Sequence, residues 1–308
     1  MTRDEACALL RELPEAMAMA LEGTLEEAVA VESRLESLDR LAIGASRFSG
    51  TPDVPEGFEW PETEDGRALV FLAQINLEEV AQTGVRGGLP GRGWLYFFKD
   101  VYGEDLEFNL GLSGPDGPDT YAVRYHDVRV DELKRIEDQA QHPDDEPSPC
   151  RALGFRKIWT LYFPGSDGQL VDFGQADQQD VEQIQAINEI LQSLLERLTG
   201  YPRDQKNSRH WLLGRALGLQ PLSDVLLEAA NLGEGDRLQE ELVGLTQEEM
   251  VSVFQRYADR WRLLFQIDTE YSTPNWTWGD CGRLFFAISV EDLENGIFDR
   301  CVCVEQST

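Results

Sequence analysis

A nucleophilic hydrolase needs a base to take the proton from its nucleophile, and histidine is the usual one. This chain has three, His126, His142 and His210, none at ligand or triad spacing from another. His142 lies in an acidic stretch and reads as exposed; His126 and His210 read as structural. No Gly-x-Ser-x-Gly elbow occurs. Five cysteines, Cys7, Cys150, Cys281, Cys301 and Cys303, are scattered over the length. Cys301 and Cys303 stand two apart on an expected strand, so their thiols share a face, and with Cys281 they could meet a soft metal. Four-coordinate sites are normally built from paired CxxC or His spacings, so buried structural thiols are the stronger expectation. Carboxylates are too numerous for spacing to single out an acid/base pair. Gly165-Ser166-Asp167-Gly168 and Glu64-Asp65-Gly66 are too short for calcium loops and read as turns. No phosphate-cradling or dinucleotide-binding glycine motif follows a strand. The reading assigns no catalytic residue, no metal ligand and no cofactor.

What remains distinctive is neutral or aromatic. In Asn275-Trp276-Thr277-Trp278-Gly279-Asp280-Cys281-Gly282, tryptophans at alternate positions put both rings on one side of an extended segment. The glycines around Asp280 then impose a tight turn. Trp276, Trp278 and Asp280 are candidate binding residues, because tryptophan is enriched at binding hot spots. Gln74 and Gln266 sit inside apolar runs, where a buried amide must find partners. They are placed to tie sheets together or to line a cleft.

The elements that carry these residues are mixed. Residues 3 to about 43 read as helices, with Leu25, Ala28, Val29, Glu32, Leu35 and Leu38 at three- and four-residue steps. Residues 44–66 read as a structured loop. Strands are expected over 67–77, 94–98 and 120–130, an exposed linker over 137–149, and an amphipathic helix through Val181, Ile187, Leu194 and Leu198. Thr246 with Glu249 forms a capping-box pattern that launches a helix. Strands over 263–269, 282–289 and 300–305 close the chain.

The 308 residues carry 57 Asp plus Glu against 27 Lys plus Arg, a net charge of -30, with 42% apolar residues. That is enough apolar content for a core and too much acid for a phosphate backbone or an anionic membrane, so nucleic-acid and membrane partners are excluded as expectations. The acidic amino terminus, Met1-Thr2-Arg3-Asp4-Glu5, does not look like an export signal. Scattered, odd-numbered cysteines suit a reducing compartment. The expected location is cytoplasmic and the expected partner a basic protein.

Two stretches echo one another. Phe71-Leu72-Ala73-Gln74-Ile75-Asn76-Leu77 matches Leu263-Leu264-Phe265-Gln266-Ile267-Asp268-Thr269, and each is followed by a Gly-led aromatic strand from Gly93 or Gly282. An internal repeat is expected. These segments, together with Ser46-Arg47-Phe48-Ser49-Gly50-Thr51-Pro52, Gly57-Phe58-Glu59-Trp60-Pro61, His210-Trp211-Leu212-Leu213-Gly214 and Trp278-Gly279-Asp280-Cys281-Gly282, resemble the bacterial YwqG-like family from about Ser46 onward. Ser49 stands where that family usually has the first of two glycines, and Gly214-Arg215-Ala216 replaces a Gly-aromatic-Pro step. The resemblance implies an α+β fold with a duplicated antiparallel β-sheet core and flanking helices. The resulting division is an N-terminal helical extension (1–45), a first half (46–149) and a second half (150–308), the halves forming one unit. The family is largely uncharacterised, and some members are encoded near polymorphic toxin systems. That implies a non-catalytic, immunity-type protein for a basic toxin domain. The alternative is a small-molecule sensor or enzyme with its site between the repeats.

Overall fold

Alternation sets the centre of the molecule. The computed structural model describes residues 1–100, 120–137, 139–140, 149–162, 178–202, 208–220, 224–270 and 276–307. Two short helices, α1 (Arg3–Leu10) and α2 (Glu15–Glu22), lead into a long strand, β1 (Glu26–Leu35). This corrects the helical reading of 25–38. Ala28 and Ala30 pack on one side of the strand and Val29 and Val31 on the other, all four buried. Glu, Leu and Ala favour a helix only weakly. A strand here buries both faces and hydrogen-bonds along both edges, a gain no surface helix offers.

The chain continues through β2 (Arg47–Phe48), β3 (Asp53–Pro55), β4 (Val70–Asn76), α3 (Leu77–Ala81), β5 (Trp94–Lys99), β6 (Tyr121–His126) and β7 (Leu133–Arg135). Then come β8 (Arg151–Thr160), α4 (Gln178–Thr199), β9 (Trp211–Leu212), α5 (Val225–Leu242), α6 (Gln247–Ala258), β10 (Trp261–Asp268), β11 (Arg283–Ser289), α7 (Val290–Asn295) and β12 (Val302–Gln306). The expected strands over 67–77, 94–98, 263–269, 282–289 and 300–305 are present within a few residues. The 120–130 strand stops at His126, before a 3₁₀ turn at Val130–Glu132. Thr246 and Glu249 form their reciprocal cap on α6. His142, most of the 137–149 stretch, the Gly165–Gly168 turn and Asn275 lie outside the described residues.

Among the described residues, ten strands form one antiparallel sheet in the order β12-β11-β10-β9-β1-β8-β2-β4-β5-β6, and β3 pairs with β7 separately. The sheet curls until its two ends nearly meet. Lys99 of β5 lies 3.8 Å from Glu305 of β12, and the Tyr125 ring of β6 is 5.1 Å from Phe298 beside β12.

Curling makes three apolar layers. The inner one holds Val29, Val31, Ile75, Leu95, Phe97, Phe265, Leu284 and Phe286, with Phe97 edge-on to both Phe265 and Phe286 at 5.1 Å. Outside the β9 to β12 end, Phe285, Ala287, Val302 and Val304 lie under the helices. Outside the β4 to β6 end, Phe71, Trp94, Tyr96 and Phe98 lie under Val54, Trp60 and Leu133. Aromatic-rich β5 and β11 are buried on both faces, which explains their nearly unbroken apolar sequences.

Candidate functional site

The buried glutamines organise two junctions. Gln74 lies opposite Arg47 where β4 pairs with β2, and Gln266 lies opposite Trp211 where β10 pairs with β9. Both are fully buried. The Gln74 Oε1 accepts from the Asp53 N–H at 2.7 Å, and its Nε2 donates to the Ala45 carbonyl at 3.0 Å. The Gln266 Oε1 accepts from the Leu217 N–H at 2.9 Å, and its Nε2 donates to the Arg209 carbonyl at 2.9 Å. Each glutamine therefore clips the chain just before and just after a two-residue strand, a length too short to hold itself in a sheet.

The surrounding bonds match as well. The Asn76 N–H donates to Ser46 Oγ and the Asp268 N–H to His210 Nδ1. The Ser49 N–H reaches the Leu72 carbonyl, and the Leu213 N–H reaches that of Leu264. Both longer strands slip register at that leucine. Ser49 and Leu213 both take left-handed backbone, at φ 54° and 64°. At 49 the side chain differs from the expected glycine while the conformation glycine favours is kept.

The chemistry held in these matching frames differs. In the first, Arg47 is fully buried and pairs with Asp53 at 2.9 Å, while Arg135 binds the other carboxylate oxygen at 2.8 Å. The Gly44 N–H adds a third bond at 2.8 Å. Burial pushes the Asp53 carboxyl up, but hydrogen bonds from Arg135, Arg47 and Gly44 outweigh it and hold it below the usual carboxylate range. The donors there have partners, which marks a structural lock.

In the second, Arg283 pairs with Asp268 at 3.0 Å, and Asp268 also accepts from the Arg209 N–H. Beside them His210, only 2% exposed, has its Nδ1 occupied by the Asp268 N–H, so its own proton sits on Nε2. That Nε2 has no hydrogen-bond partner and lies 3.7 Å from the buried Glu270 carboxylate. Arg151 Nε approaches the same carboxylate at 3.8 Å, and the Ser33 hydroxyl does so at 3.5 Å. Such a group is suited to gripping a hydroxyl or a water between donors and a carboxylate.

The candidates named from sequence fall partly here. Trp278 is buried and its indole N–H donates to the Asp268 carbonyl at 3.1 Å. Trp276 is half-buried, with its ring 5.6 Å from Phe48 and 5.8 Å from Trp278, and its carbonyl accepts from the Glu270 N–H. The two rings do share one side. Asp280 is exposed on the turn closed by Gly282 N–H to Trp278 O. Gln266 clips the segment that carries His210 just ahead of β9, and Gln74 belongs to the other junction. Glu270, Arg151 and Ser33 carried no signal in sequence, because they come from three distant segments.

Among the described residues no group of three His, Cys, Asp or Glu side chains is placed to hold a metal ion. Cys301 and Cys303 are buried on the inner face, while Cys281 is exposed, so the three thiols do not converge. His126 is packed between Phe58 and Tyr96, and burial, with Arg124 nearby, pulls its pKa down. No described helix is long and apolar enough to cross a membrane.

Residues 46–306 match the model of a domain of unknown function, DUF1963. The chain belongs to the DUF1963 family. No curated protein matches it. The DUF1963 match begins at Ser46, so it leaves out β1, yet β1 lies between β9 and β8 at the middle of the sheet. The strands of residues 150–308 and of 46–149 meet where β8 pairs with β2, and β1 is inserted between β9 and β8.

Proposed function

We propose that this chain is a non-catalytic protein-binding protein whose acidic surface docks a basic partner, working in the cytoplasm. Its most specific form is an immunity-type protein that neutralises a basic toxin domain. The observation that carries this reading is where the charge lies. Four basic residues, Arg47, Lys99, Arg209 and Arg283, are buried with three acids, Asp53, Asp268 and Glu270. Among the described residues the interior is thus close to balanced and their acidic surplus faces solvent, where it steers basic partners, an attraction that weakens as salt rises. The test is a partner captured from the native host and titrated with salt. Affinity that drops steeply with ionic strength supports the reading, and affinity indifferent to salt overturns it.

The matched bonds around Gln74 and Gln266 support descent of the two junctions from one duplicated unit of YwqG-like type. On that reading the unit begins with the long strand, β1 or β8, and each copy lends this strand to the other's side of the sheet. A second functional reading, a small-molecule sensor or enzyme, draws on the unsatisfied His210 Nε2 beside Glu270 and Arg151. Screening polyols and small amides by thermal shift checks it: stabilisation lost in Glu270→Gln favours a ligand site, and no stabilisation by any compound removes it.

A further inference from the structure

The α5–α6 hairpin turns its inner side to the core through Leu238, Val253 and Tyr257 and leaves its tip outside. At that tip Val243 is 80% exposed and Val251 62%, among the most exposed large apolar side chains of the described residues. Residues 240–251 hold Glu240, Glu241, Glu248 and Glu249, all exposed, and no lysine or arginine. The tip is not loose: Thr246 and Glu249 cap α6 reciprocally, and Arg256 from the next turns ties back to Glu241. Two aliphatic side chains left this exposed, in a stretch whose charged residues are all carboxylates, add little to the fold of this chain.

Resting on the reading of an acidic docking protein, we propose that the α5–α6 tip is the docking surface, and that its occupant is a basic amphipathic segment of another protein. Aliphatic side chains of that segment would cover Val243 and Val251, with lysines or arginines facing Glu240 and Glu248. Charge complementarity chooses this occupant. A second copy of the same chain would set these glutamates against their own equivalents, which disfavours self-association through the tip.

The test uses the full chain and two synthetic peptides of about 16 residues, one with leucine at helical spacing among lysines, the other with each leucine replaced by serine. The leucine peptide is expected to bind more tightly, with protection from hydrogen exchange centred on residues 240–251. Val243→Asp and Val251→Asp should each weaken it by about tenfold, and both side chains are exposed enough for the variants to fold, checked by unchanged thermal melting. Glu291→Lys with Glu294→Lys on α7 serves as a control on another acidic surface and should have little effect. If both peptides bind equally, or the Asp variants bind as well as the parent, the tip is overturned as the docking surface while acidic docking stands. If neither peptide binds in a salt-dependent way, the docking reading falls with it.

Discussion

Around Gln74 and around Gln266 the backbone makes the same bonds, and the two places nevertheless hold different chemistry. At Gln74 a buried arginine, an aspartate and a second arginine close on one another with hydrogen-bonding distances of 2.8 to 2.9 Å. At Gln266 the arginine position is Trp211, and the neighbouring polar groups are His210, Glu270, Arg151 and Ser33: Arg151 donates to the Ser33 hydroxyl at 2.9 Å, while His210 Nε2 stops 3.7 Å short of Glu270 and has no hydrogen-bond partner. Buried polar groups that close are stabilising; those that stop short cost stability and persist where they are used or filled by water. The comparison separates a lock from a candidate site on one frame.

The largest way to break it is at the lock. Arg47→Met should destabilise by about 3–5 kcal/mol, because it breaks a buried ion pair and takes their donor from the Asp53 carboxylate and the Thr51 carbonyl, Arg135 and Gly44 remaining on Asp53; urea unfolding measures it, and a cost below about 1 kcal/mol would show that the network is not a lock. Acid acts on the same group. Asp53 is held below its ordinary value in the folded state, so its contribution is complete above the unfolded value of about 4 and is lost as pH falls through the folded one. Asp53→Asn should therefore flatten the loss of stability below about pH 4.

Next come the glutamines. Gln74→Ala takes the acceptor from the buried Asp53 N–H and Gln266→Ala that from the Leu217 N–H, each with a hydrogen bond to a carbonyl besides, and each should cost about 1–3 kcal/mol. Equal costs sharpen the equivalence of the frames, and a near-neutral result at one of them breaks it. Glu270→Gln, which removes the charge and keeps the shape of the side chain, should cost less than Arg47→Met. A loss as large as that of Arg47→Met would make the second junction a lock too. The smallest effect is a gain: Ser49→Gly relieves left-handed backbone at φ 54° and should stabilise by about 0.5–1 kcal/mol after the entropic cost of glycine, read as a small rise in melting temperature.

Parts of this were legible beforehand. The runs at 70–76, 94–99 and 261–268 announce buried strands, and the repeated Gln with its Asn or Asp two residues on marks both junctions. Gln74 and Gln266 stood out because an amide in an apolar run demands partners. β1 was not legible as a strand, since its glutamates and leucines match helical steps as well as its Ala-Val-Ala-Val core matches alternation. His210 was visible but looked isolated, because Glu270 is 60 residues on and Arg151 is 59 residues back.

The sequence by itself determined the acid coat, the apolar strands, the capped helix α6 and the two glutamine junctions, all of which follow from composition or from residues close along the chain. Tertiary structure decided that β1 is the middle of the sheet, that the sheet curls until β6 meets the β12 end, and that one junction closes around Asp53 while the other leaves His210 Nε2 unpaired. Those outcomes depend on which strand lies next to which. Strand order is settled by burying both faces of the sheet at once, a condition no local run of residues can express.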